Sequence, residues 1–396
     1  MQLSHLHPTS VDRPIRIGID GANIRLGGGV THLLELLSAI DAQQMQVDKI
    51  YLWAGKQTLA QMPERDWLIK VNPPSLDGGI WRRIWWQVWS LSGAAKKAQC
   101  DVLLVPGGSY VGRFHPVVTM SQNLFPFEWS AIAKNGWSLR ALKFLALRLV
   151  QSSSFRRSDG VIFLTRYAKD AVLKITGPLQ STCEVISHGL NPHFHYQAKT
   201  QLPMGAYSEQ QPFELLYVSM IDVYKNQPQV VLAVNNLRQK GYPLSLTLVG
   251  PSEPKALGQL QAVVDQVDPQ GTWLHYLGPI AYEQLSIQYQ KANLGVFAST
   301  CETFGMIVLE KMAAGLPLAC SNQSSMSEIL GRGGLYFDPN DVSSIASTIE
   351  QYLLSPQLRE EKQALSLDLA AQYSWKACAN KTTHFLRQIC QSYHAK

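Results

Sequence analysis

The chain has 396 residues, too many for one ordinary core and suited to two domains of common size. Its 46% hydrophobic and 16% charged residues are those of a folded globular protein and exclude a disordered or low-complexity polymer. The formal charge of +6 suits a phosphate-bearing ligand or an anionic membrane surface, whereas the lack of a recognition motif or clustered Lys/Arg stripe excludes nucleic acid as the expected partner. The opening MQLSHLHPTSVDRP has no charged start followed by an apolar core, and no run approaches the roughly 18 apolar residues of a spanning helix. Cys100, Cys183, Cys301, Cys320, Cys378 and Cys390 are scattered without CxxC or Cys/His ligand spacing, so no disulfide framework or metal site is expected. A reducing cytoplasm is the predicted home.

Residues 1–14 read as an N-terminal tail. From residue 15, short β-rich runs alternate with helical patterns. IRIGID precedes GGGVTHLLELLSAI, whose Leu33, Leu34, Leu36, Leu37 and Ile40 form one apolar helical face; DVLLVPG, PVVTMS, GVIFLT and CEVISHG follow as strands. Such alternation predicts a parallel sheet flanked by helices over residues 15–195. Residues 196–212, YQAKTQLPMGAYSEQQP, are polar, proline-containing and aperiodic, as a linker would be. The pattern restarts over residues 213–372 with FELLYVSM, PLSLTLVG, TWLHYLG, ANLGVFAS, LPLACS and GLYFDP. Residues 373–396 read as a terminal helix crossing back to the first domain, with Ala377, Phe385, Leu386 and Ile389 as packing positions. The predicted fold class is α/β: two doubly wound Rossmann-like domains with a ligand in the cleft between the carboxyl ends of their strands.

The segment STCETFGMIVLEKMAAGLPLACS carries Glu302 and Glu310 eight positions apart in mostly apolar surroundings. A helix starting after Phe304-Gly305 would aim free backbone N–H groups and its positive dipole end at the cleft, a ready phosphate site. Eight residues span roughly 12 Å if fully helical. That is too far for two carboxylates sharing a proton, and suits two acceptors gripping different hydroxylated ends of one elongated ligand.

ETFGMIVLE resembles the E-x7-E signature of the retaining glycosyltransferases of family 4, and EKMAAGLPLACS resembles its continuation. In the same order, GGGVTHLLEL resembles that family's glycine-rich first loop, VIFLTRYAKD and VISHGLNPHF its last acceptor-domain strands, YVSMIDVYKNQ its phosphate-lysine loop, LHYLGPI its base-side strand, and YSWKACA its closing helix. The likeness covers residues 15 to 390. It implies the GT-B fold, a nucleotide-diphosphate sugar as donor, a saccharide or lipid-linked saccharide as acceptor, and retention of configuration with no cofactor or metal. By this likeness Glu310 would bind the donor ribose and Glu302 the sugar hydroxyls. Phe304, Gly305 and Met306 would offer backbone amides, Lys225 would neutralise the leaving diphosphate, and Gly28, Gly29, Gly278 and Ile280 would line the donor. Thr165, opening the TRYAKD helix, reads equally as an N-cap and as an acceptor contact; His188 reads equally as a buttress of the interdomain loop and as a substrate contact. The absence of any Asp-x-Asp fits metal-free chemistry. The family implies same-face attack with the leaving phosphate taking the acceptor's proton, so neither glutamate is expected to be a nucleophile.

Two positions depart from the pattern. Gln122 or Asn123 stands where the family commonly has a histidine, and an amide can bind a hydroxyl but cannot act as acid or base; Met220 stands where an arginine is usual. These substitutions motivate one rival reading, a non-catalytic nucleotide-sugar-binding partner subunit. A second rival, a GT-B sugar-nucleotide epimerase, is disfavoured by the motif order. WRRIWWQVWSLSGAAKK (residues 81–97) and residues 137–157 mix apolar with basic residues, which suits either peripheral contact with an anionic membrane or core-packed helices with a basic edge.

Overall fold

The computed structural model describes residues 13–25, 27–134, 139–194 and 198–395. Most of the expected N-terminal tail and the expected boundary at 195/196 lie outside the described residues. The first domain holds β1 (Ile15–Asp20), β2 (Val47–Trp53), β3 (Leu68–Val71), β4 (Val102–Val105), β5 (Val117–Ser121), β6 (Gly160–Phe163) and β7 (Thr182–Val185), paired in parallel in the order β3-β2-β1-β4-β5-β6-β7. The second holds β8 (Phe213–Val218), β9 (Leu244–Val249), β10 (Leu274–Tyr276), β11 (Leu294–Phe297), β12 (Leu318–Ser321) and β13 (Gly334–Phe337), also parallel, in the order β10-β9-β8-β11-β12-β13.

The central strands β4, β5, β6, β11 and β12 are buried along their whole length, because helices cover both faces, and so they are written as unbroken apolar runs. The eleven strands expected from such runs all form. β2 and β3 were not expected: β2 opens Val-Asp-Lys, and both strands lie on the outer side of the sheet where burial is incomplete. In each sheet the strand order reverses beside the domain's first strand, between β1 and β4 and between β8 and β11. Such switch points open a crevice beyond the strands' carboxyl ends.

The segment expected as a linker is fastened to the second domain. Lys199 donates to the carbonyls of Lys291 (2.7 Å) and Ala292 (3.1 Å), Arg359 to Gln201 Oε1 (3.0 Å), and Asn293 to the Tyr207 hydroxyl (3.2 Å). The helix Trp375–His394 is capped by Ser374, packs on the helix Gly28–Ala39 and on β4, and through Arg387 donates to the carbonyls of Met45 and Gln46. Phe385, Leu386 and Ile389 are buried as expected, but Ala377 faces solvent; Trp375, Cys378 and Ala379 take the packing role.

The crossing depends on Gly189. Leu190 bridges Ser374 in parallel register, and a Cβ on Gly189 would lie 2.0 Å from the Trp375 amide nitrogen. Gly189→Ala is therefore expected to destabilise the protein by about 3 kcal/mol, read as a lowered thermal midpoint. Gly258→Ala, in a helix with no neighbour within 4 Å of the added carbon, should stabilise by roughly 0.5–1 kcal/mol. Equal midpoints for the two variants would contradict this account of the crossing.

Candidate functional site

The site grows from the β8/β11 switch point. After β8 the chain makes a turn (Val223–Lys225) capped by Asp222, which accepts from the Val223 amide (2.8 Å), and Asn226 enters the next helix in a left-handed conformation (φ 52°) that asparagine tolerates. The loop after β11 is tied to this turn. Asn226 Nδ2 donates to the Ala298 carbonyl (2.9 Å), the Thr300 amide to the Tyr224 carbonyl (2.9 Å), and the Ala298 amide to the Tyr217 hydroxyl (3.1 Å). As a result Lys225 Nζ pairs with Glu302 Oε1, with both side chains mostly withdrawn from water. Burial by itself lowers the Lys225 pKa; the Glu302 carboxylate, with Tyr224 and Tyr217, outweighs it, and the net shift is upward. The ammonium is fixed in its charged form.

Glu302 is held at its backbone as well. Ser324 Oγ accepts from the Glu302 amide (2.7 Å) and donates to its carbonyl (2.7 Å), and Ser325 Oγ donates to the same carbonyl (3.1 Å). Three residues on, Gly305 (φ 90°) turns the chain into the helix Met306–Ala313 in a conformation that side-chain-bearing residues avoid. The first amides of that helix, at Met306 and Ile307, precede any intrahelical acceptor, and the helix starts four residues after Glu302. The Phe304 side chain is buried against His188 (ring centroids 5.1 Å) and Tyr373 (5.8 Å), leaving its backbone for any ligand role.

Glu310 lies inside the same helix, buried, with the Tyr289 hydroxyl donating to its Oε2 (3.0 Å). Burial raises its pKa to about 7. The next residue, Lys311, is fully buried in the other direction, donating to the carbonyls of Val296 (2.8 Å) and Leu216 (3.4 Å), and burial lowers its pKa to about 7. Lys225 and Lys311 lie 5.1 and 5.4 Å from the centroid of the Phe297 ring.

The first domain closes on these loops through Thr303. Its hydroxyl donates to the Gln122 carbonyl (3.1 Å) and accepts from the Leu124 amide (3.0 Å), and its carbonyl accepts from Thr165 Oγ1 (3.0 Å). Thr165 also caps its own helix at Ala168, so it is both cap and interdomain tie. Glu328 of the second domain accepts from the Arg166 and Tyr167 amides (2.8 and 2.9 Å) at that helix's start. His188 is buried and shares a hydrogen bond with His32 (Nδ1 to Nδ1, 2.9 Å), beside Trp375. Burial holds His32 down to about 4, and burial together with His32 holds His188 well below the usual histidine value. Among the described contacts His188 is a buttress. The Asn123 carboxamide accepts from the Phe125 amide (3.1 Å), while the Gln122 side chain lies against Met120 and Gly29, which joins the glycine-rich loop to this group; Gly28 is exposed beside it.

Gly278 and Ile280 stand apart from this cluster, past the end of β10 at the sheet's edge, where the Gly278 carbonyl accepts from the Gly250 amide (2.9 Å). Arg140, which the sequence did not mark, reaches from the first domain to Asp222 with two hydrogen bonds (3.1 and 2.7 Å), two residues beyond exposed Met220. Asp20, at the end of β1, accepts from Gln87 and from the Ala22 amide, and burial raises its pKa to about 6. Among the described residues no three His, Cys, Asp or Glu converge to hold a metal ion.

The profile described as Glycosyltransferase Family 4 matches residues 26–194, and that described as Glycosyl transferases group 1 matches residues 206–364. The chain belongs to glycosyltransferase family 4. Within its wider relationships, it is 33% identical to the O-antigen chain mannosyltransferase B of Escherichia coli over 233 residues, 58% of each chain, and 26% identical to a glycogen synthase of Mycobacterium tuberculosis over 253 residues, 63% of this chain and 58% of that one. The alignments thus span 58% of the length of these relatives. Its fold is GT-B. It superposes on sucrose-phosphate synthase from Thermosynechococcus elongatus with a TM-score of 0.74 at 18% identity, over 96% of this chain and 100% of the other. Anabaena HepE in complex with UDP and glucose superposes with a TM-score of 0.69 at 15% identity, over 94% and 100%.

Glu310 gives this family 4 chain a pH signature. Its folded pKa lies above the unfolded value, so its contribution to stability is full below about 4.5 and is lost as pH rises through about 7. Glu310→Gln removes that loss. The stability gap between variant and wild type should shift in the variant's favour by on the order of 2 kcal/mol between pH 5 and 8, measured by urea denaturation at both pH values; a pH-independent gap would contradict the buried carboxyl.

Proposed function

We propose that this chain is a retaining, metal-independent transferase moving a hexose, with mannose as the first candidate, from a nucleotide-diphosphate sugar to a saccharide or lipid-linked saccharide during surface polysaccharide assembly. The single observation carrying the reading is the Lys225–Glu302 pair at the β8/β11 switch point, beside the first amides of the helix Met306–Ala313. A fixed cation and a helix N-terminus together suit a diphosphate. The mannosyl candidate comes from the Escherichia coli relatives named as O-antigen chain mannosyltransferase and serotype-specific mannosyltransferase; the nucleotide-sugar donor is supported by structural neighbours solved with UDP and UDP-glucose.

In this mechanism the incoming diphosphate takes over the Lys225 ammonium, and Glu302 is released to accept hydrogen bonds from hydroxyls of the donor sugar. As the bond from the anomeric carbon to the diphosphate oxygen breaks, negative charge gathers on the phosphate, where Lys225 and the Met306 amide stabilise it. The acceptor hydroxyl attacks the same face of the sugar, and its proton passes to the departing phosphate oxygen. Glu310, one turn along the helix from Met306 and backed by Tyr289, holds the nucleoside ribose. Gln122 and Asn123 position hydroxyls and move no proton. Arg140, paired with Asp222, supplies the cationic charge that Met220 does not. The tie through Thr303 keeps the two domains closed and water out of the site, which limits donor hydrolysis.

Calorimetric titration with UDP, GDP, ADP and dTDP separates this reading from a subunit without a donor site. One nucleotide should bind the wild type, with affinity lowered at least tenfold, about 1.4 kcal/mol, in Lys225→Ala. A folded wild type that binds none of the four would overturn the proposal.

A further inference from the structure

Two helical stretches of the first domain turn apolar side chains to solvent. The first runs through Ile80–Trp85, a wider π turn at Trp86–Ser90, and Leu91–Lys97. The extra residue in the π turn rotates Trp86 and Gln87 inward and keeps Trp81, Trp85 and Trp89 outward, where they are 79%, 58% and 65% exposed. The second, the helix Leu139–Arg157, exposes Leu139, Leu142, Leu149 and Val150 along one stripe.

The inner sides of both helices are fastened to the cleft. Gln87 donates to Asp20, Arg83 to Asn23 Oδ1 (3.1 Å), Arg140 to Asp222 and Arg148 to the Pro126 carbonyl. The loop 107–114 joins the two helices: Gln87 donates to the Ser109 carbonyl (3.2 Å), the Tyr110 amide donates to Ser154 Oγ (2.8 Å), and the Arg113 guanidinium sits 5.8 Å from the Trp89 ring centroid. Both helices are thus joined to one loop, and Arg113 carries that loop to the exposed tryptophan stripe. Neither stretch contains an Asp or Glu, while the first carries four Lys/Arg and the second five. Arg82, Lys96, Lys97 and Lys143 are exposed among them.

We infer that this face rests on an anionic lipid bilayer, with the three tryptophans at headgroup depth and the basic side chains on the lipid phosphates. Grouped, exposed large apolar side chains of this kind mark interaction surfaces. The charge selects the partner, since indole rings favour the membrane–water boundary and helices that carry Lys and Arg without Asp or Glu are attracted to acidic headgroups. The first stretch packs on the core through Trp86, Leu91 and Ala95, while its three exposed tryptophans lie outside that packing. That the surface brings a lipid-linked acceptor to the cleft beside Asp20 and Asn23 rests on the transferase reading; lipid binding does not, and it is measured without donor.

The test is co-sedimentation of the full chain with vesicles of phosphatidylcholine alone and of phosphatidylcholine mixed with phosphatidylglycerol. Binding to the mixed vesicles should be stronger by at least about tenfold, weakened by salt. Trp81→Ala/Trp85→Ala/Trp89→Ala should lose at least about tenfold of it with an unchanged melting temperature and unchanged nucleotide affinity. Arg82→Glu/Lys143→Glu should erase the preference for anionic lipid. A wild type that stays in the supernatant, variants that bind like the wild type, or a concentration-dependent dimer abolished by the tryptophan substitutions would each overturn the inference, the last by assigning the face to a second copy.

Discussion

A lysine and a glutamate drawn mostly out of water at the end of a sheet are stable there chiefly because each neutralises the other. Removing one from the Lys225–Glu302 pair leaves an uncompensated buried charge, which costs several kcal/mol; replacing both with apolar residues often costs nothing. Stability alone therefore does not call for the pair. What it does provide is a charged ammonium at one fixed point, which an incoming anion can claim in exchange for the carboxylate.

Everything nearby keeps that point fixed. Tyr217 and Asn226 bind the two loops that carry the pair, Ser324 grips the Glu302 backbone from both sides, and Gly305 turns the chain from the Glu302 loop into the helix Met306–Ala313. The first domain adds its share through Gln122, Leu124 and Thr165, which meet Thr303, and through Arg140 and Lys134, the last donating to Asn226 Oδ1 (3.0 Å) and Asn340 Oδ1 (2.8 Å). Domain contact and the geometry of the Lys225 loop are thus one network. A change in the first domain that loosens Arg140 or Lys134 acts on the loop that positions Lys225.

The sheet architecture was legible in the sequence wherever strands were buried on both faces, because such strands are continuous apolar runs; β2, with Asp48 and Lys49 near its start, lacked that signature. Glu302 and Glu310 were legible because carboxylates are out of place in apolar surroundings. Lys311 was not, since next to Glu310 it reads as a surface lysine, and its acceptors lie on strands 15 and 95 residues away. Arg140 was invisible for the same reason, its partner Asp222 being 82 residues distant. Of the two readings open for Thr165 and His188, the described contacts take up the structural ones: a cap that also ties the domains, and a histidine pair behind Phe304.

The central claim is that the Lys225–Glu302 pair marks the seat of a diphosphate. Its most direct test is a crystal structure of the chain with its preferred nucleoside diphosphate bound. The account predicts a phosphate oxygen about 3 Å from Lys225 Nζ and from the Met306 amide, with Glu302 turned away from the lysine. A diphosphate seated elsewhere, such as on the Gly27–Gly29 loop with the Lys225–Glu302 pair undisturbed, would contradict it.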